Sequence, residues 1–542
     1  MGNNNGNLVL EWQSNGRGHP IVRGYLDGQL ILADKVDLAS EKDRSRFTTR
    51  IHAIAKVPPA VGSRKLLEMA GDYLRAKEEE EKRKQDVHKE SSSGIEVDTA
   101  AVVRPELFFT LEVCGITVLL VFQDEDGEHI NRVWRLYLQW SDGRRECMDL
   151  PKFLDVPDGR RLYISPDPGP PLTEMATRWT RASRDAWLNG SPPPDIAELF
   201  WDVCDYIAAY LDFPAKEDAI GLIYTMALFV FLTYCYPAFR AVPYISFTGP
   251  AGSAKTRALE ILESLVFRPT LTADPSPALI FRSLHAYGGV FLLDEAEKLS
   301  NSKDQAAVDI LSVLHSGYKR GGTAGRLEPI GDTYQPVYFN VFGPKAIASI
   351  TAPPPTLASR CIPFPMLRAE AKSEKPKRLL DEGKAQAIRD SLHAWALGYG
   401  QEIGKLPKMD VCPPEVFGRN RELWQPLLAL ASWIESAGAK GLLELLQAHA
   451  KKTVTEKRTE NIPASDTVLL KALARLLCEG RQPTAGEVLM AAREIEPFLF
   501  EKWSSTGVGV HLTRYGVGTR KSHGRLIFDS SCLEDLQRVE RT

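Results

Sequence analysis

One short segment constrains the fold of this chain more than any other, because it joins a strand, a loop of small residues and a helix without a break. Residues 244–248 (YISFT) are typical of a short buried strand, residues 249–254 (GPAGSA) are small, and residues 257–266 (RALEILESLV) have a helical pattern. Such a loop turns its backbone N–H groups around phosphate oxygens, and the helix N-terminus adds a positive dipole end. The segment therefore predicts a phosphate-binding P-loop.

Each P-loop residue has an expected role. Lys255 is expected to reach the β- and γ-phosphates of ATP, and the Thr256 hydroxyl is expected to hold Mg²⁺. Ala254 occupies the position where the common pattern has Gly. Alanine there costs little conformational free energy only if its φ is negative. A Gly- and Ser-rich loop that precedes Lys-Thr by chance is the alternative. The loop that would cradle the phosphates consists of Gly249, Pro250, Ala251, Gly252, Ser253 and Ala254.

A second apolar segment, residues 289–293 (GVFLL), ends in the two carboxylates Asp294 and Glu295. An all-apolar run is typical of a strand buried on both faces of a parallel sheet, and ligands bind at the carboxyl ends of such strands. Asp294 is expected to coordinate Mg²⁺, directly or through water, and Glu295 to polarise the attacking water. An acidic helix cap explains the carboxylates but not the P-loop upstream, so both segments together predict ATP binding.

Two further residues are candidates for the same chemistry. Residues 336–342 (PVYFNVF) have the pattern of another buried strand, and Asn340 on it is a candidate for orienting the attacking water. A side chain that satisfies a backbone group is the equal alternative for Asn340. Arg360 precedes the apolar run 361–364 and is a candidate arginine finger for a neighbouring subunit's site. A surface salt bridge is the alternative for Arg360.

These segments resemble AAA+ ATPases, specifically MCM-like helicases and the helicase-like ATPases of plasmids, phages and integrated elements. Residues 249–256 have Ala before the P-loop Lys, as MCM proteins do, and residues 288–299 (GGVFLLDEAEKL) resemble their Walker B segment. Residues 354–360 (PPTLASR) resemble the stretch that ends in their arginine finger. Residues 342–348 (FGPKAIA) and 419–431 (RNRELWQPLLALA) are similar to the relatives from mobile elements.

The resemblance covers about residues 195–540 and implies an α/β fold, with an AAA+ P-loop core, a parallel sheet and a helical lid. It also implies a ring, expected to be a homo-hexamer, that hydrolyses ATP at subunit interfaces. Arg419 is the sensor-2 candidate, with Arg421 as the runner-up. Gly343 competes with Asn340 for the sensor-1 position.

A Gly-rich basic segment follows the Walker B residues. Residues 317–326 (GYKRGGTAGR) lie where similar helicases have a hairpin that projects into the central channel. Lys319, Arg320 and Arg326 are therefore candidates for contact with DNA phosphates. A solvated loop is the equal alternative.

The C-terminal region is the second candidate for nucleic-acid contact. Helical patterns at 467–478 and 484–500 precede residues 502–525, which contain no Asp or Glu. Helices followed by a Gly-rich basic hairpin resemble a winged helix, in which Trp503 and Tyr515 would pack the wing or stack on bases. A protein-binding platform is the alternative. The basic residues of this segment are Lys502, Arg514, Arg520, Lys521 and Arg525.

Composition limits the class of protein. Hydrophobic residues make up 44% and charged residues 25% of the 542 residues, which excludes a mainly disordered chain. The formal charge of −3 excludes a histone-like polycation, although separated basic patches can still bind nucleic acid. Residues 219–239 carry no formal charge, but their internal Thr, Tyr and Pro favour a buried helix over a membrane span. Scattered cysteines and the lack of a signal-peptide pattern favour the cytoplasm.

Small β-rich modules are expected before the AAA+ core and a winged-helix domain after it. The predicted domains are a small β-containing N-terminal module (1–64), a charged helix and linker (65–100), a β-rich module (101–165), a linker and leading helical segment (166–240), the AAA+ core (241–368), the helical lid (369–460) and a winged-helix-like domain (461–542).

The sequence thus predicts an ATP-dependent DNA helicase or translocase of a mobile genetic element. It would act on a single strand or a fork, with replication or loading partners bound through the N-terminal modules and no membrane association. A nucleotide-switched regulatory or defence ATPase, which binds nucleic acid or protein without unwinding, is the alternative.

Overall fold

The computed structural model describes most of the chain in two compact units, Met1–Asp98 and Thr99–Thr542. Arg514 and Tyr515 of the predicted basic hairpin, and residues 76–100 of the predicted linker, lie outside the described residues. The described residues are 8–13, 19–56, 58, 60–75, 102–123, 130–157, 159–166, 168–169, 178–213, 216–300, 303–330, 333–369, 372–461, 464–513, 517–522, 524–528 and 532.

The N-terminal unit is a three-stranded antiparallel sheet with two helices. Asp27 and Gly28 both have positive φ, which is the conformation of a tight two-residue hairpin turn. Val22, Phe47 and Leu66 lie in the core between the sheet and the helices. The elements are β1 (Leu8–Gln13), β2 (Ile21–Leu26), β3 (Gln29–Lys35), α1 (Glu41–Ala55) and α2 (60–75), with strand order β1-β2-β3.

The second unit begins with two small sheets. One is antiparallel, with order β5-β6-β7-β8, and the other has order β4-β10-β9. Tyr137 of the larger sheet packs against Trp179, with ring centroids 5.2 Å apart, so this sheet shares the main hydrophobic core with the helices that follow. The strands are β4 (Val102–Val103), β5 (Leu107–Phe109), β6 (Val113–Gln123), β7 (Ile130–Trp140), β8 (Arg145–Asp149), β9 (Phe153–Asp155) and β10 (Arg161–Ile164).

Three helices lead from these sheets to the P-loop: α3 (Arg181–Leu188), α4 (Ile196–Tyr210) and α5 (Lys216–Thr233). The side chains of residues 226–232 are fully buried, which confirms the buried helix predicted for the uncharged segment. Helix α5 packs against α4 and against two helices that come much later in the chain. Among the described residues, no helix combines the length and apolarity needed to cross a bilayer.

A five-stranded parallel sheet forms the centre of the second unit, which confirms the mixed α/β fold class. Its strand order is β12-β13-β16-β11-β17, so the P-loop strand β11 lies between β16 and β17. The strands of this region are β11 (Tyr244–Thr248), β12 (Pro269–Thr272), β13 (Val290–Leu293), β14 (Thr323–Ile330), β15 (Thr333–Asn340), β16 (Lys345–Ser349) and β17 (Cys361–Pro365), and its helices are α6 (Lys255–Leu265), α7 (Pro277–Tyr287), α8 (Gln305–Ser316) and α9 (Pro355–Ala358).

The prediction that residues 336–342 form a buried strand of this sheet is wrong. They lie mostly in β15, which among the described strands pairs only with β14, in an antiparallel hairpin. Apolar side chains alternate there: Phe339 is buried, whereas Tyr334 and Tyr338 are 74% and 65% exposed. A period of two is typical of a strand with one solvated face, whereas the fully buried strand is the short run 345–349.

Helices follow the sheet, as predicted. Short 3-10 turns separate some of these helices. Trp395 of the first and Trp424 of the third are buried in the main core. The helices are α10 (Glu382–Gly398), α11 (Gly400–Ile403), α12 (Gly418–Ser436) and α13 (Leu442–Asn461). The 3-10 turns of the unit are Tyr236–Ala238, Ala296–Ser300, Lys375–Lys377, Leu406–Lys408 and Phe498–Phe500.

The C-terminal segment has a hydrophobic core of its own, with Leu473, Val488 and Phe528 at its centre. Thr484 and Glu487 form a capping box at the start of its second helix. The prediction of a basic hairpin over 502–525 is wrong in its first half, because residues 505–513 form a helix. The elements are α14 (Ala464–Cys478), α15 (Ala485–Ile495), α16 (Ser505–Thr513), β18 (Arg520–Ser522) and β19 (Arg525–Ile527).

Candidate active site

The predicted P-loop, residues 249–254, connects the carboxyl end of β11 to the first residue of α6, so the predicted order of strand, loop and helix is confirmed. Its first residue, Gly249, lies against the backbone that follows β17. A Cβ atom at Gly249 would lie 2.1 Å from the carbonyl oxygen of Met366, so the loop can pass only with glycine there. The backbone N–H of Met366 donates to the Thr248 carbonyl over 2.7 Å, which holds the two segments together.

Ala254 adopts a left-handed conformation, with a φ of 63°. The condition under which alanine costs little at this position is therefore not met. A left-handed L-residue other than glycine costs about 1–2 kcal/mol. The loop keeps its shape because Gly252 also turns with positive φ and because α6 begins directly after Ala254. This is backbone strain stored in the loop that would hold phosphate.

Lys255 and Thr256 make the polar contacts of the loop. The Lys255 ammonium donates to the carbonyl oxygens of Gly249 and Pro250 over 2.8 and 2.9 Å. The Thr256 hydroxyl donates to Asp294 Oδ2 over 2.8 Å. The fold therefore brings the P-loop and the first carboxylate after β13 into direct contact.

Glu295 follows Asp294 in a left-handed conformation with a φ of 52°. Its backbone N–H donates to Asp294 Oδ1 over 2.9 Å, which fixes the turn after β13. Its carboxylate lies 3.0 Å from the Lys298 ammonium and is half exposed. The hydrogen bond and charge of Glu295 raise the pKa of Lys298. The pair leaves a carboxylate accessible to water beside the P-loop.

The oxygen donors of this site suit Mg²⁺ that arrives with a nucleotide. A hydroxyl and a carboxylate 2.8 Å apart are ligands of the type that Mg²⁺ takes, and water and phosphate oxygens complete its octahedron. Among the described residues, no group of three or more His, Cys, Asp or Glu side chains is placed to hold a metal ion. The residues therefore fit a shared Mg²⁺ and do not form a protein-only metal cage.

Asn340 does not lie at this edge of the sheet. It ends β15 and precedes β16, whereas the P-loop follows the carboxyl end of β11. Its Oδ1 atom accepts a hydrogen bond from the backbone N–H of Phe342 over 2.8 Å. The Asn340 side chain thus hydrogen-bonds a backbone group, which was the alternative role that the sequence left open. Asn340 belongs to the amino edge of the sheet, opposite the P-loop.

Ser349 takes the position that was expected for Asn340. It ends β16, pairs in register with Thr248 and is 1% exposed. Its hydroxyl donates to the Thr351 carbonyl over 2.6 Å. Sequence reasoning missed Ser349 because the longer apolar run at 336–342 was taken as the sheet strand. The short run KAIAS directly after Pro344 was the available signal.

Arg368 is a second residue that the sequence analysis missed. It is exposed, lies just beyond the carboxyl end of β17 and donates from Nε to the Ala251 carbonyl over 3.1 Å. It is thus an arginine of the same chain that contacts the P-loop directly. Its position after a strand of the sheet was the only signal in the sequence.

Arg360 and Arg419 lie together at the amino edge of the sheet. Arg360 donates from Nε to the His315 carbonyl over 2.9 Å, and Arg419 donates to the Ser359 hydroxyl over 2.6 Å. Both guanidinium groups lie over the Tyr318 ring, at 5.0 and 5.7 Å from its centroid.

The electrostatic environment of this pair is positive. Partial burial and the charge of Arg419 lower the pKa of Arg360. Within the described part of the chain neither arginine has a carboxylate partner, whereas Arg421 pairs with Asp410 at 2.6 Å. Arg360 and Arg419 thus share the Ser359 hydroxyl and the Tyr318 ring.

Of the expected channel cations, Lys319 and Arg320 lie just before the base of the β14–β15 hairpin, and Arg326 lies in the middle of β14. Lys319 pairs with Glu422 at 2.7 Å, and the backbone N–H of Arg320 donates to the Arg240 carbonyl over 2.8 Å. Arg326 lies over the Phe281 ring at 4.8 Å. The side chains that stand out from this hairpin are uncharged: Leu327, Tyr334 and Tyr338.

The C-terminal hairpin carries exposed cations. Arg520 and Lys521 lie on β18 and Arg525 on β19, and all three residues are exposed. Lys502 is exposed ahead of α16. The fold thus gathers three of the five predicted basic residues on one short hairpin.

Comparison with known proteins gives no family assignment: no family model and no curated protein matches the chain. Among solved structures it is similar to the SCCmec type IV Cch active helicase, with 12% identity over 80% of this chain and 99% of that chain and a TM-score of 0.33. The C-terminal region of NrS-1 in its A-form apo structure gives 11% identity, 76% and 95% coverage and a TM-score of 0.28.

A chain of the Drosophila ORC bound to DNA gives 13% identity, 65% and 93% coverage and a TM-score of 0.18. All three TM-scores lie below 0.5. Similarity at this level establishes no activity for the chain, so the candidate site rests on its own geometry.

Proposed function

We propose that this chain is an AAA+ ATPase whose hydrolytic site lies at the carboxyl edge of the parallel sheet. The observation that carries the proposal is the 2.8 Å hydrogen bond from the Thr256 hydroxyl to Asp294, which joins two segments 38 residues apart. A P-loop and a strand-end carboxylate in contact are the parts that P-loop ATPases use to hold nucleotide and metal.

Each of these residues has a separate role in the proposed hydrolysis of ATP. Lys255 exchanges the carbonyls of Gly249 and Pro250 for phosphate oxygens, while the loop N–H groups hold the remaining phosphates. Thr256 and Asp294 would hold Mg²⁺, which would supply positive charge to balance the charge that develops on the phosphates. Glu295 accepts a proton from water, whose oxygen attacks the γ-phosphorus as the bond to ADP breaks.

Arg360 and Arg419 serve a neighbouring subunit in this proposal. They lie at the edge of the sheet opposite their own P-loop, beyond the reach of the nucleotide that this loop holds. A head-to-tail ring, taken as a homo-hexamer, presents such an edge to the next subunit's site. Arg360 is then the arginine finger and Arg419 the sensor-2 residue, acting in trans.

We propose that the ATPase acts on DNA, as a helicase or translocase of a mobile genetic element. We propose the cytoplasm as its location. The β14–β15 hairpin would contact a single strand or fork, with Lys319, Arg320 and Arg326 near phosphates. The C-terminal segment would act as a winged helix through Lys502, Arg514, Arg520, Lys521 and Arg525. Replication or loading partners would bind through the N-terminal β modules.

One observation favours a second candidate, a regulatory or defence ATPase that binds nucleic acid or protein without unwinding it. Lys319, Arg320 and Arg326 each make contacts within the chain, so the hairpin offers no cation already free to track a phosphate backbone. Its exposed tyrosines would suit a stationary contact equally well.

Strand displacement measured beside ATP hydrolysis separates the two candidates. The wild-type protein is expected to hydrolyse ATP and to release a labelled strand from a fork. Lys255→Ala and Glu295→Gln should each abolish both activities, whereas Lys440→Ala, at a distant exposed lysine, should change neither. ATP hydrolysis without strand release across fork types would favour the regulatory candidate. Absence of hydrolysis would refute both.

A further inference from the structure

Arg368 reaches the P-loop because the chain after β17 runs beside the loop. Strand β17 pairs in parallel with β11, and Thr248 lies opposite Pro365. The backbone N–H of Met366 then donates to the Thr248 carbonyl, so the pairing continues one residue past the strand. Ala251 and Arg368 keep the same sequence offset of 117 residues as the last strand pair. The path of the backbone therefore fixes where Arg368 meets the loop.

The contact is a hydrogen bond to a backbone carbonyl. Arg368 Nε donates to the Ala251 oxygen over 3.1 Å. A Cβ atom on Gly252 would lie 3.7 Å from the same Nε atom, so the side chain lies against the peptide that joins Ala251 to Gly252. No carboxylate pairs with Arg368 among the described residues, whereas Arg257 of α6 pairs with Glu260 at 3.2 Å. The charge of Arg368 therefore acts on the loop without a carboxylate to offset it.

The N–H group of the same peptide is a free donor. In a trans peptide the C=O and N–H groups point in opposite directions, so the contact of Arg368 with the Ala251 oxygen turns the Gly252 N–H away from Arg368. The Ser253 N–H donates to the Pro250 carbonyl over 3.2 Å, whereas the Gly252 N–H has no acceptor among the described residues. A hydrogen bond to the carbonyl also polarises the peptide, which makes its N–H a stronger donor.

We propose that Arg368 is a positioning residue for the triphosphate of ATP. It holds the peptide between Ala251 and Gly252 so that the Gly252 N–H is free to donate to a phosphate oxygen, and its charge adds to the positive potential of the loop. Arg368 acts through the backbone and does not itself contact the phosphates. The inference deepens the proposed function and rests on it, because it gives phosphate recognition to a residue outside the P-loop.

Lys255 and Arg368 contact successive carbonyls of the loop. Lys255 donates to those of Gly249 and Pro250. Arg368 donates to the next one, that of Ala251. In the proposed hydrolysis Lys255 leaves its carbonyls for phosphate oxygens, which removes two of these three contacts. Arg368 comes from the neighbouring chain segment, so its contact can persist while nucleotide is bound. Its role therefore concerns affinity for the nucleotide rather than the chemical step.

Two substitutions in the full chain separate the hydrogen bond from the charge. Glutamine places an N–H donor, Nε2, as many bonds from the backbone as arginine places Nε, whereas methionine places an apolar methyl group there. Arg368→Met should raise KM for ATP about tenfold and leave kcat within about twofold of wild type, because it removes one hydrogen bond from a charged donor. Arg368→Gln keeps a neutral donor, so its KM should stay within about threefold of wild type.

Two competitive inhibitors show which part of ATP the substitution affects. Inorganic pyrophosphate consists of phosphate groups alone, and adenosine has none. The inhibition constant of pyrophosphate should rise in Arg368→Met by the same factor as KM for ATP, and that of adenosine should not change. An unchanged constant for pyrophosphate in this variant would place the effect away from the phosphates and would overturn the proposal.

The controls separate this inference from the proposed function. Arg181→Met, at an exposed arginine of α3 that pairs with Asp185, should keep the wild-type KM. A wild-type KM in Arg368→Met, or a KM in Arg368→Gln as high as in Arg368→Met, would refute the role of Arg368 and leave the ATPase proposal standing. A lower kcat at unchanged KM in Arg368→Met would show a merely structural role and would also refute it. Absence of ATP hydrolysis in the wild type would refute both proposals.

Discussion

Ala254 carries a methyl group that its backbone conformation disfavours. Ala254→Gly should raise the free energy of unfolding by about 0.5–1 kcal/mol, because relief of the left-handed strain exceeds the added entropy of the unfolded chain. Chemical denaturation measures this difference. Ala258→Gly, in the interior of α6, is the matched control and should destabilise by about 1 kcal/mol. If both variants lose stability, Ala254 is not strained.

Ser349 is expected to support hydrolysis from the end of β16. Ser349→Ala should lower kcat about tenfold with little change in KM, because it removes the hydroxyl at the carboxyl end of β16, between the P-loop strand and β13, and keeps the backbone carbonyl that accepts from Gly249. Steady-state ATPase assays give both constants. Ser316→Ala, on α8, loses a similar hydroxyl and should stay within about twofold of wild type. Equal effects of the two substitutions would exclude a role for Ser349.

Residues whose chemistry is encoded by their neighbours in sequence were predictable, and the others were not. The strand, loop and helix around Lys255 are local, and so is the apolar run before Asp294. Ser349 and Arg368 reach the same edge only through the order of strands in the sheet. The burial of the Glu106 carboxylate is even harder to predict from the local sequence, because it depends on contact with Tyr236, 130 residues away.

At the scale of elements, a buried lysine binds the backbone where the β14–β15 hairpin joins the parallel sheet. Lys345 begins β16, is fully buried and donates to the carbonyls of Val341 and Gly343 over 2.9 and 3.0 Å. Burial lowers the pKa of Lys345 to about 7. The two carbonyls belong to the segment that returns from the hairpin to the sheet. The lysine thus fixes where the hairpin leaves the core.

The pKa of Lys345 predicts a pH-dependent stability. Its folded pKa lies below the unfolded value of about 10.4, so the unfolded chain binds more protons between pH 7 and pH 10. The contribution of Lys345 to stability should therefore rise with pH across this window, by up to about 1.4 kcal/mol per pH unit. Denaturation curves at pH 7, 8 and 9 measure the slope.

Comparison of variants isolates the contribution of this lysine. Lys345→Met should lower the slope of stability against pH. Lys440→Met, at an exposed lysine, should leave that slope unchanged. Buried Lys457, whose pKa burial lowers to about 8, contributes in the same direction and remains in both variants. An unchanged slope in Lys345→Met would show that Lys345 does not titrate in this range.

The elements themselves were predicted unevenly. Strands with a local signature, such as β11 and β13, and the buried helix α5 were visible in the sequence. β15 was predicted as a buried strand because PVYFNVF is apolar on average, while its period of two places Tyr338 in solvent and Phe339 in the core. Helix α16 was missed because its glycines suggested a turn, although Val508 and Leu512 are buried one helical turn apart.

At the scale of the whole molecule, Arg360 and the P-loop lie at opposite edges of one sheet. If the active assembly is a ring, Arg360→Ala and Glu295→Gln subunits should each lose about 10³-fold or more in ATP hydrolysis alone. Mixed together they should regain part of the activity, because some interfaces then combine an intact Glu295 with an intact Arg360. Hydrolysis assays over a range of mixing ratios test this.

The mixing experiment has its own control. A mixture of Lys255→Ala with Glu295→Gln should stay inactive, because both changes fall in the same half of the site and no interface combines intact halves. Recovery in that mixture, or none in the first, would contradict action of Arg360 in trans.

Helix α5 has a consequence for how the chain is made. Its central side chains are buried, and part of their cover comes from α12 and α13, of which the second ends at Asn461. A ribosome that adds about 5–20 residues per second needs roughly 11 to 46 seconds to go from Thr233 to Asn461. Throughout that interval the nascent chain exposes a strongly apolar helix, so truncation before α13 should yield aggregates that require chaperones.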